Sequence, residues 1–469
     1  VRRFTVISLF SGAGGLDLGF VQSGLFSIIF ANDILLSAMQ TYSRNLGLKL
    51  SACNSRKSEA QVGIALTCGI EHVNFEPLKN GEADVIIGGP PCQDFSIVRG
   101  PEWDRRGVEV KRGRLYAHFV RALAVLQPKA FLFENVPGLV SANKGLAYKI
   151  ILEDFSHLNL RWDDVRKVIG ASDFSKPAES YEIIFSNIMD FSQFGVPQKR
   201  KRLVIVGIRR DLVKSEDRAR KIKSIFLKIL NNSEGLFTKY PLTPIETFEG
   251  RRLDELNEVY REIVKKWDGV WLEVNTEEAM RWKTKIWDKL TFNILNDYLI
   301  ANDIKLSSKE ELEEAINQHE EVLKELGYYR VPILSLKPAD GTNEIPSEDP
   351  AVVERMKRIP FDENHEFTRG TKWEVEGRNI SLVYRRLHPL KPAYTVVAYG
   401  GGGTHGYHYD RSRTTLTLRE RARLQTFPDT FLFSGSKTQI RAQIGEAVPP
   451  LATKRFAHAL AEVLSELEE

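Results

Sequence analysis

Only three cysteines occur in 469 residues, Cys53, Cys68 and Cys92, too few and too irregularly spaced for a disulfide framework or a zinc knuckle. That usage fits a reducing compartment and leaves room for one cysteine with a chemical role. Long apolar runs are also missing. The opening stretch is broken by Gly12, Gly14, Gly15 and Asp17 well short of a signal peptide or a membrane span, so no membrane partner is expected. Charge of one sign is lacking too: 66 Lys and Arg against 62 Asp and Glu leave a net +4, and any nucleic-acid footprint must be local. No G-x-S-x-G elbow is present, which removes the usual serine hydrolase chemistry. His405 and His408 have metal-like spacing without a third ligand near them in the chain, so no metal site is expected.

What is present is a chain with 42% hydrophobic and 10% aromatic residues, enough for one large domain and a smaller one. Up to about residue 210, short β-rich runs alternate with amphipathic stretches, the pattern of an α/β domain with a mostly parallel sheet. Strands are predicted over 5–9, 27–31, 84–87, 130–133, 181–186 and 203–208, with helices over 35–45 and 116–126. Beyond 212 the texture changes to charged helical segments over 213–230, 253–267, 276–299 and 308–326, the last with Ser308 as N-cap. The dense acidic face of 308–326 reads as a solvated helix surface. An Ala/Leu/Glu-rich helix is expected over 451–467.

The chemistry-bearing residues cluster at predicted strand ends. Phe10-Ser11-Gly12-Ala13-Gly14-Gly15 follows the first strand and opens a helix, but the third glycine of the dinucleotide fingerprint would fall at Asp17. A nucleoside without a pyrophosphate fits better, and plain packing is the alternative. Asp33, just after the second strand, stands where a carboxylate accepts from ribose hydroxyls. Gly88-Gly89-Pro90-Pro91 leads into Cys92, which two prolines hold in one orientation. Residues 99–114 carry six Arg or Lys against three acids, a field that favours a thiolate nucleophile at Cys92 over a buried apolar cysteine. Glu134 ends the strand 130–133 at the same edge; from spacing alone it could equally be a cap. In Gln198-Lys199-Arg200-Lys201-Arg202, strand alternation would point Arg200 and Arg202 to one side, suited to a phosphate or a carbonyl oxygen, unless they only protect a basic edge.

Taken together and in order, these blocks resemble the DNA (cytosine-5) methyltransferases of bacterial restriction-modification type. ISLFSGAGGLDLGF resembles the cofactor motif of that family, GGPPCQDFS the catalytic motif, FLFENVPGL the sixth and FGVPQKRKRLVIVGIR the eighth, while TLRERARLQTFPDTF and QIGEAVPPLATKRFAHAL resemble the last two. The resemblance implies an α/β, Rossmann-like S-adenosylmethionine-dependent large domain with a smaller target recognition domain. It implies methyl transfer from S-adenosyl-L-methionine to carbon 5 of a flipped cytosine in double-stranded DNA, with S-adenosyl-L-homocysteine as product. Cys92 would be the nucleophile, Glu134 would act at ring nitrogen 3, Arg202 at the ring carbonyl and Arg200 on a phosphate, with Gln198 beside them. Phe10, Gly12, Gly14, Gly15, Asp33, Glu71, Pro91, Leu115, Glu446 and Val448 would line the cofactor. Glu446 stands where the family usually has Asn, and Ser8 where it often has an acid.

The resemblance further implies domains at 1–211, completed by 438–469, and at 212–437, with a helical insertion near 253–327. The basic stretch 97–115 would close over the flipped base. Segment 369–391, with six basic residues against two acids, would face DNA. A first motif so near the chain start points to a modification enzyme rather than a maintenance enzyme, acting as a monomer in the cytoplasm near the nucleoid and paired with a cognate restriction endonuclease. Two alternatives share parts of this resemblance: a transfer-RNA cytosine-5 methyltransferase and a catalytically silent DNA-binding regulator. Transfer-RNA relatives carry a later cysteine, which this chain lacks beyond Cys92, and a catalytically silent DNA-binding regulator would not need Cys92, Glu134 and Arg202 intact.

Overall fold

β-branched residues fill the first strand, β1 (Phe4–Leu9), which is buried almost throughout, as a central strand covered on both faces must be. In the computed structural model, residues 2–54, 58–79, 81–91, 113–170, 175–375, 383–399, 404 and 406–469 are described. The other strands among them are β2 (Phe26–Asp33), β3 (Lys49–Ala52), β4 (Ser58–Glu59), β5 (Ile64–Thr67), β6 (Val73–Asn74), β7 (Val85–Gly88), β8 (Ala130–Asn135), β9 (Tyr181–Asp190) and β10 (Lys201–Arg209). Eight of these form one sheet in the order β3-β5-β2-β1-β7-β8-β10-β9, and β4 pairs with β6. All neighbours from β3 to β8 run parallel, whereas β10 is antiparallel to both β8 and β9.

The parallel order sets the carboxyl ends of β2, β1, β7 and β8 side by side, the edge at which such sheets bind ligands. Three helices flank it: α1 (Gly15–Gln22), α2 (Leu36–Leu46) and α3 (Gly113–Leu126). α3 is a core helix. Tyr116, Phe119, Val120 and Leu123 pack with Phe131, Phe133 and Phe155, with ring centroids as close as 4.5 Å between Phe131 and Phe155. Gly19 lets α1 lie directly on the terminal helix Pro450–Glu468, since a Cβ there would stand 2.5 Å from the Pro450 carbonyl oxygen.

Contacts divide the chain into two compact units, Val1–Asp190 with Lys201–Ser233 and Ala447–Glu469, and Phe191–Arg200 with Glu234–Glu446. These limits differ from the expected 211 and 438. Helix Glu216–Asn232 stays with the first unit because its buried face carries Phe226, 5.4 Å from the Phe185 ring and 6.3 Å from that of Phe456. Helix Lys437–Glu446 stays with the second, where the Ile444 carbonyl accepts from Gln425 and Gly445 lies against the Ala398 backbone.

Ser308 caps helix Lys309–Glu325, accepting from the Glu311 N–H. The expected helix over 276–299 is instead broken into Glu277–Lys285 and Ile294–Ala301, with Phe292 at φ 57° and Asn293 capping the second piece. The stretch 253–267 likewise splits into a 3-10 turn and helix Asn257–Lys265. No helix among the described residues is long and apolar enough to cross a membrane. Among those residues, no cluster of three or more His, Cys, Asp or Glu could hold a metal ion.

Candidate active site

The registers Asn32 with Leu9, Leu9 with Gly88 and Gly88 with Phe133 bring four strand ends into one row. The turn after β1 holds Phe10 at φ 54°, Gly12 at 54° and Gly14 at 96°. A non-glycine held in the left-handed region costs about 1 kcal/mol or more, a strain that marks sites where backbone conformation serves a ligand. Asp33 locks the turn: its Oδ2 accepts from the Gly12 N–H and its Oδ1 from the Leu35 N–H, both at 2.9 Å. Burial pushes the Asp33 carboxyl above the usual range, against the backbone N–H groups of Leu35, Gly12 and Ile34, which lower it.

These residues fit a nucleoside ligand. A Cβ on Gly12 would meet no described atom within 4 Å, so that side of the turn is open. A Cβ on Gly14 would instead strike the Leu46 and Tyr42 side chains at 2.6 and 2.9 Å, so this glycine serves packing. Beyond its backbone N–H donors, the Asp33 carboxylate keeps acceptor capacity for a ligand hydroxyl.

At the neighbouring ends, Glu134 and Arg202 meet. β10 pairs with β8 so that Val204 lies opposite Glu134, and Arg202, two residues earlier, shares its face on the diagonal. Arg202 Nε lies 3.3 Å from Glu134 Oε1, with both side chains largely buried. The backbone after β7 runs against this pair. A Cβ on Gly89 would sit 2.7 Å from Glu134 Oε2, and the Asn135 amide donates to the Pro90 carbonyl at 3.1 Å. Pro91 follows, exposed. Cys92 lies outside the described residues, as does most of the basic stretch 97–115.

Arg200 departs from expectation. It is 1% exposed, and its guanidinium donates to the Val396 and Gly445 carbonyls at 3.0 and 2.7 Å and to Gln198 Oε1 at 3.3 Å, so it is not a phosphate ligand and does not share a face with Arg202. The reason is that β10 begins at Lys201: strand alternation does not extend back to Arg200, which belongs to the second unit. Gln198 is buried beside it, donating to the Leu424 carbonyl at 3.0 Å and accepting from the Val396 N–H at 2.9 Å, a scaffold role rather than a catalytic one.

The remaining expected cofactor residues lie on several elements. Glu71 sits half-exposed on the turn Ile70–His72, three residues after Cys68, whose N–H donates to the Asp33 carbonyl at 3.0 Å. Leu115, on α3, packs half-buried against the core under the sheet edge. Gly15 is the buried first residue of α1. Val448 is buried in the first unit, whereas Glu446 ends its helix in the second, accepting from the Tyr399 hydroxyl.

Three supporting residues escaped the sequence reading. Asn135 ties the Pro90 carbonyl to β8, and its place beside Glu134 was the only available signal. Arg121, buried on α3, donates to the Ile70 and Val73 carbonyls at 2.8 and 2.9 Å and so clamps both ends of the Glu71 turn. Asp17, fully buried, accepts from the Tyr42 hydroxyl at 2.6 Å, and burial pushes its carboxyl up to about 6 against hydrogen bonds that lower it.

The family model for C-5 cytosine-specific DNA methylases matches residues 4–462. The chain is 65% identical to the DNA (cytosine-5-)-methyltransferase M.ApeKI of Aeropyrum pernix over 466 residues, 99% of each chain. It is 30% identical to the type II methyltransferase M.NgoFVII of Neisseria gonorrhoeae, covering 98% of this chain and 87% of that one. A solved structure of a prophage-encoded E. coli protein described as a DNA modification methyltransferase shares the fold, with a TM-score of 0.55 at 21% identity over 98% of this chain and 99% of that one.

Proposed function

Because this chain belongs to the C-5 cytosine-specific DNA methylase family, we propose that it methylates carbon 5 of a cytosine flipped out of a specific double-stranded DNA site, through a covalent Cys92 adduct. Its activity is that of a DNA (cytosine-5-)-methyltransferase of type II restriction-modification kind. The observation that carries the finer reading is the Glu134 and Arg202 pair, 3.3 Å apart, on the edge that the backbone reaches at Gly89, three residues before Cys92.

Carbon 5 of cytosine is a poor nucleophile. Addition of the Cys92 thiolate to carbon 6 forms a carbon–sulfur bond and turns the ring into an enamine whose carbon 5 can attack a methyl group. S-adenosyl-L-methionine, when bound, supplies that methyl as an electrophile on a sulfonium sulfur. Glu134 shares a proton with ring nitrogen 3, neutralising the charge that builds as the thiolate adds, and Arg202 donates to the ring carbonyl oxygen. Their mutual contact orients both groups before a base arrives. Loss of the carbon 5 proton to water then releases Cys92.

Asp33 would hold the ribose hydroxyls, and the open side of the Gly12 turn would face the remainder of the ligand. Flipping costs about a few kcal/mol, supplied by phosphate and groove contacts. The protein would act as a monomer on duplex DNA, paired in its host with an endonuclease of the same specificity. Bisulfite sequencing of duplex DNA incubated with the protein and S-adenosyl-L-methionine tests this reading. Protected cytosines at one recurring site are expected; full conversion of the DNA alongside methyl transfer to transfer RNA would overturn it.

A further inference from the structure

β3 and β5 run parallel with Ala52 opposite Thr67, and their ladder continues one step, the Cys53 N–H donating to the Thr67 carbonyl at 3.1 Å. That register sets Cys53 beside Cys68. Neighbouring strands lie about 4.8 Å apart, inside the roughly 4.4–6.8 Å between Cα atoms that a disulfide spans. Cys53 packs half-buried against the core cluster in which Cys68 is 2% exposed. The thiols interact: burial pushes Cys68 up to about 12, and the hydrogen bond and charge of Cys53 push the same way.

We propose that Cys53 and Cys68 close to a reversible disulfide, a modification site at the carboxyl end of β3 and β5 that is separate from the methyl-transfer chemistry. The half-exposed Cys53 meets the oxidant, a low-molecular-weight disulfide. Its thiolate attacks one sulfur, displacing one thiol and leaving a mixed disulfide. The Cys68 thiolate then attacks the Cys53 sulfur and displaces the second thiol. In sum, two protein thiols and one small disulfide give one protein disulfide and two small thiols.

The bond braces the edge that carries Asp33. The Cys68 N–H donates to the Asp33 carbonyl, and the Asn32 side chain donates to the carbonyls of Leu66 and Cys68, both at 2.9 Å. Closing this short loop restricts the unfolded chain, and an increase in Tm of about 5 °C or more is expected.

The full chain incubated with oxidised glutathione, alkylated with iodoacetamide and digested without reductant tests the proposal. A linked peptide pair holding Cys53 and Cys68, cleaved by dithiothreitol, is expected, with a higher Tm that Cys53→Ser and Cys68→Ser both remove. Alkylation of both cysteines after oxidation, a stable glutathione adduct on Cys53, or a link from either residue to Cys92 would overturn it. An unchanged Tm in the linked form would overturn the bracing role.

Discussion

Arg200 and Arg202, two positions apart, separate stability from chemistry. Arg202→Ala removes the guanidinium that faces Glu134 and, by the reading above, the ring carbonyl. It should lower kcat by about 100-fold to 1000-fold with little change in Tm. Arg200→Ala leaves the Val396 and Gly445 carbonyls without these donors in a buried site, and should destabilise the protein by about 3 kcal/mol. Paired melting curves and single-turnover rates for the two variants check both outcomes. Asp17 offers a test by pH. Its folded carboxyl titrates at about 6 against an ordinary 3.8, so the folded state holds a proton that the unfolded state releases between those values. Its contribution is therefore present below pH 3.8 and lost as pH rises to about 6, a loss of about 3 kcal/mol. Asp17→Asn, which keeps an acceptor for Tyr42, should gain on the natural chain by that amount between pH 4 and 7 in denaturant melts. A gap that stays flat with pH would contradict the buried acid.

Among the elements, helix Lys309–Glu325 and helix Pro244–Glu249 are joined by one buried ion pair. His319 Nδ1 lies 3.0 Å from Glu246 Oε1 and Nε2 lies 2.8 Å from the Tyr240 carbonyl oxygen. With a carboxylate on one side and a carbonyl on the other, both contacts favour a proton on each ring nitrogen, the charged form of the ring. Burial opposes that charge, but the charge and hydrogen bond of Glu246, with the Tyr240 carbonyl, raise the ring above its usual 6.5. The resulting stability is complete below pH 6.5 and is lost as pH rises through the higher folded value. Melts between pH 6 and 9 should show a falling Tm that His319→Gln abolishes. Elements were unevenly legible in the sequence. β1, β7 and β8 stood out as apolar runs, rich in β-branched residues in β1 and β7 and in Phe in β8, with Gly, Pro or acidic residues at or just after their ends. β3 and β5 did not, because KLSA and IALT are short and only partly buried. The helix expected over 276–299 is longer than either real piece, since apolar periodicity continues across the break at Phe292 that only its backbone reveals.

At the scale of the whole molecule, the chain passes between its two units at 190–191, 200–201, 233–234 and 446–447. Asp33, Glu134 and Arg202 lie in the first unit, Gln198, Arg200 and Glu446 in the second. A motif read as one block, FGVPQKRKRLVIVGIR, thus contributes to both units, and alternation along a line of sequence could not reveal that division. The motif order was legible because strand ends carry the chemistry. The pairing of Glu134 with Arg202 was not, because it depends on the antiparallel register of β10 against β8. Trapping on duplex DNA carrying 5-fluorocytosine at the methylated site tests the Cys92 adduct, because fluorine blocks the loss from carbon 5 that frees the enzyme. A complex stable to denaturant is expected, formed only with S-adenosyl-L-methionine, with DNA attached to the peptide containing Cys92 and absent in Cys92→Ser. Attachment at another residue, or the same complex in Cys92→Ser, would contradict it.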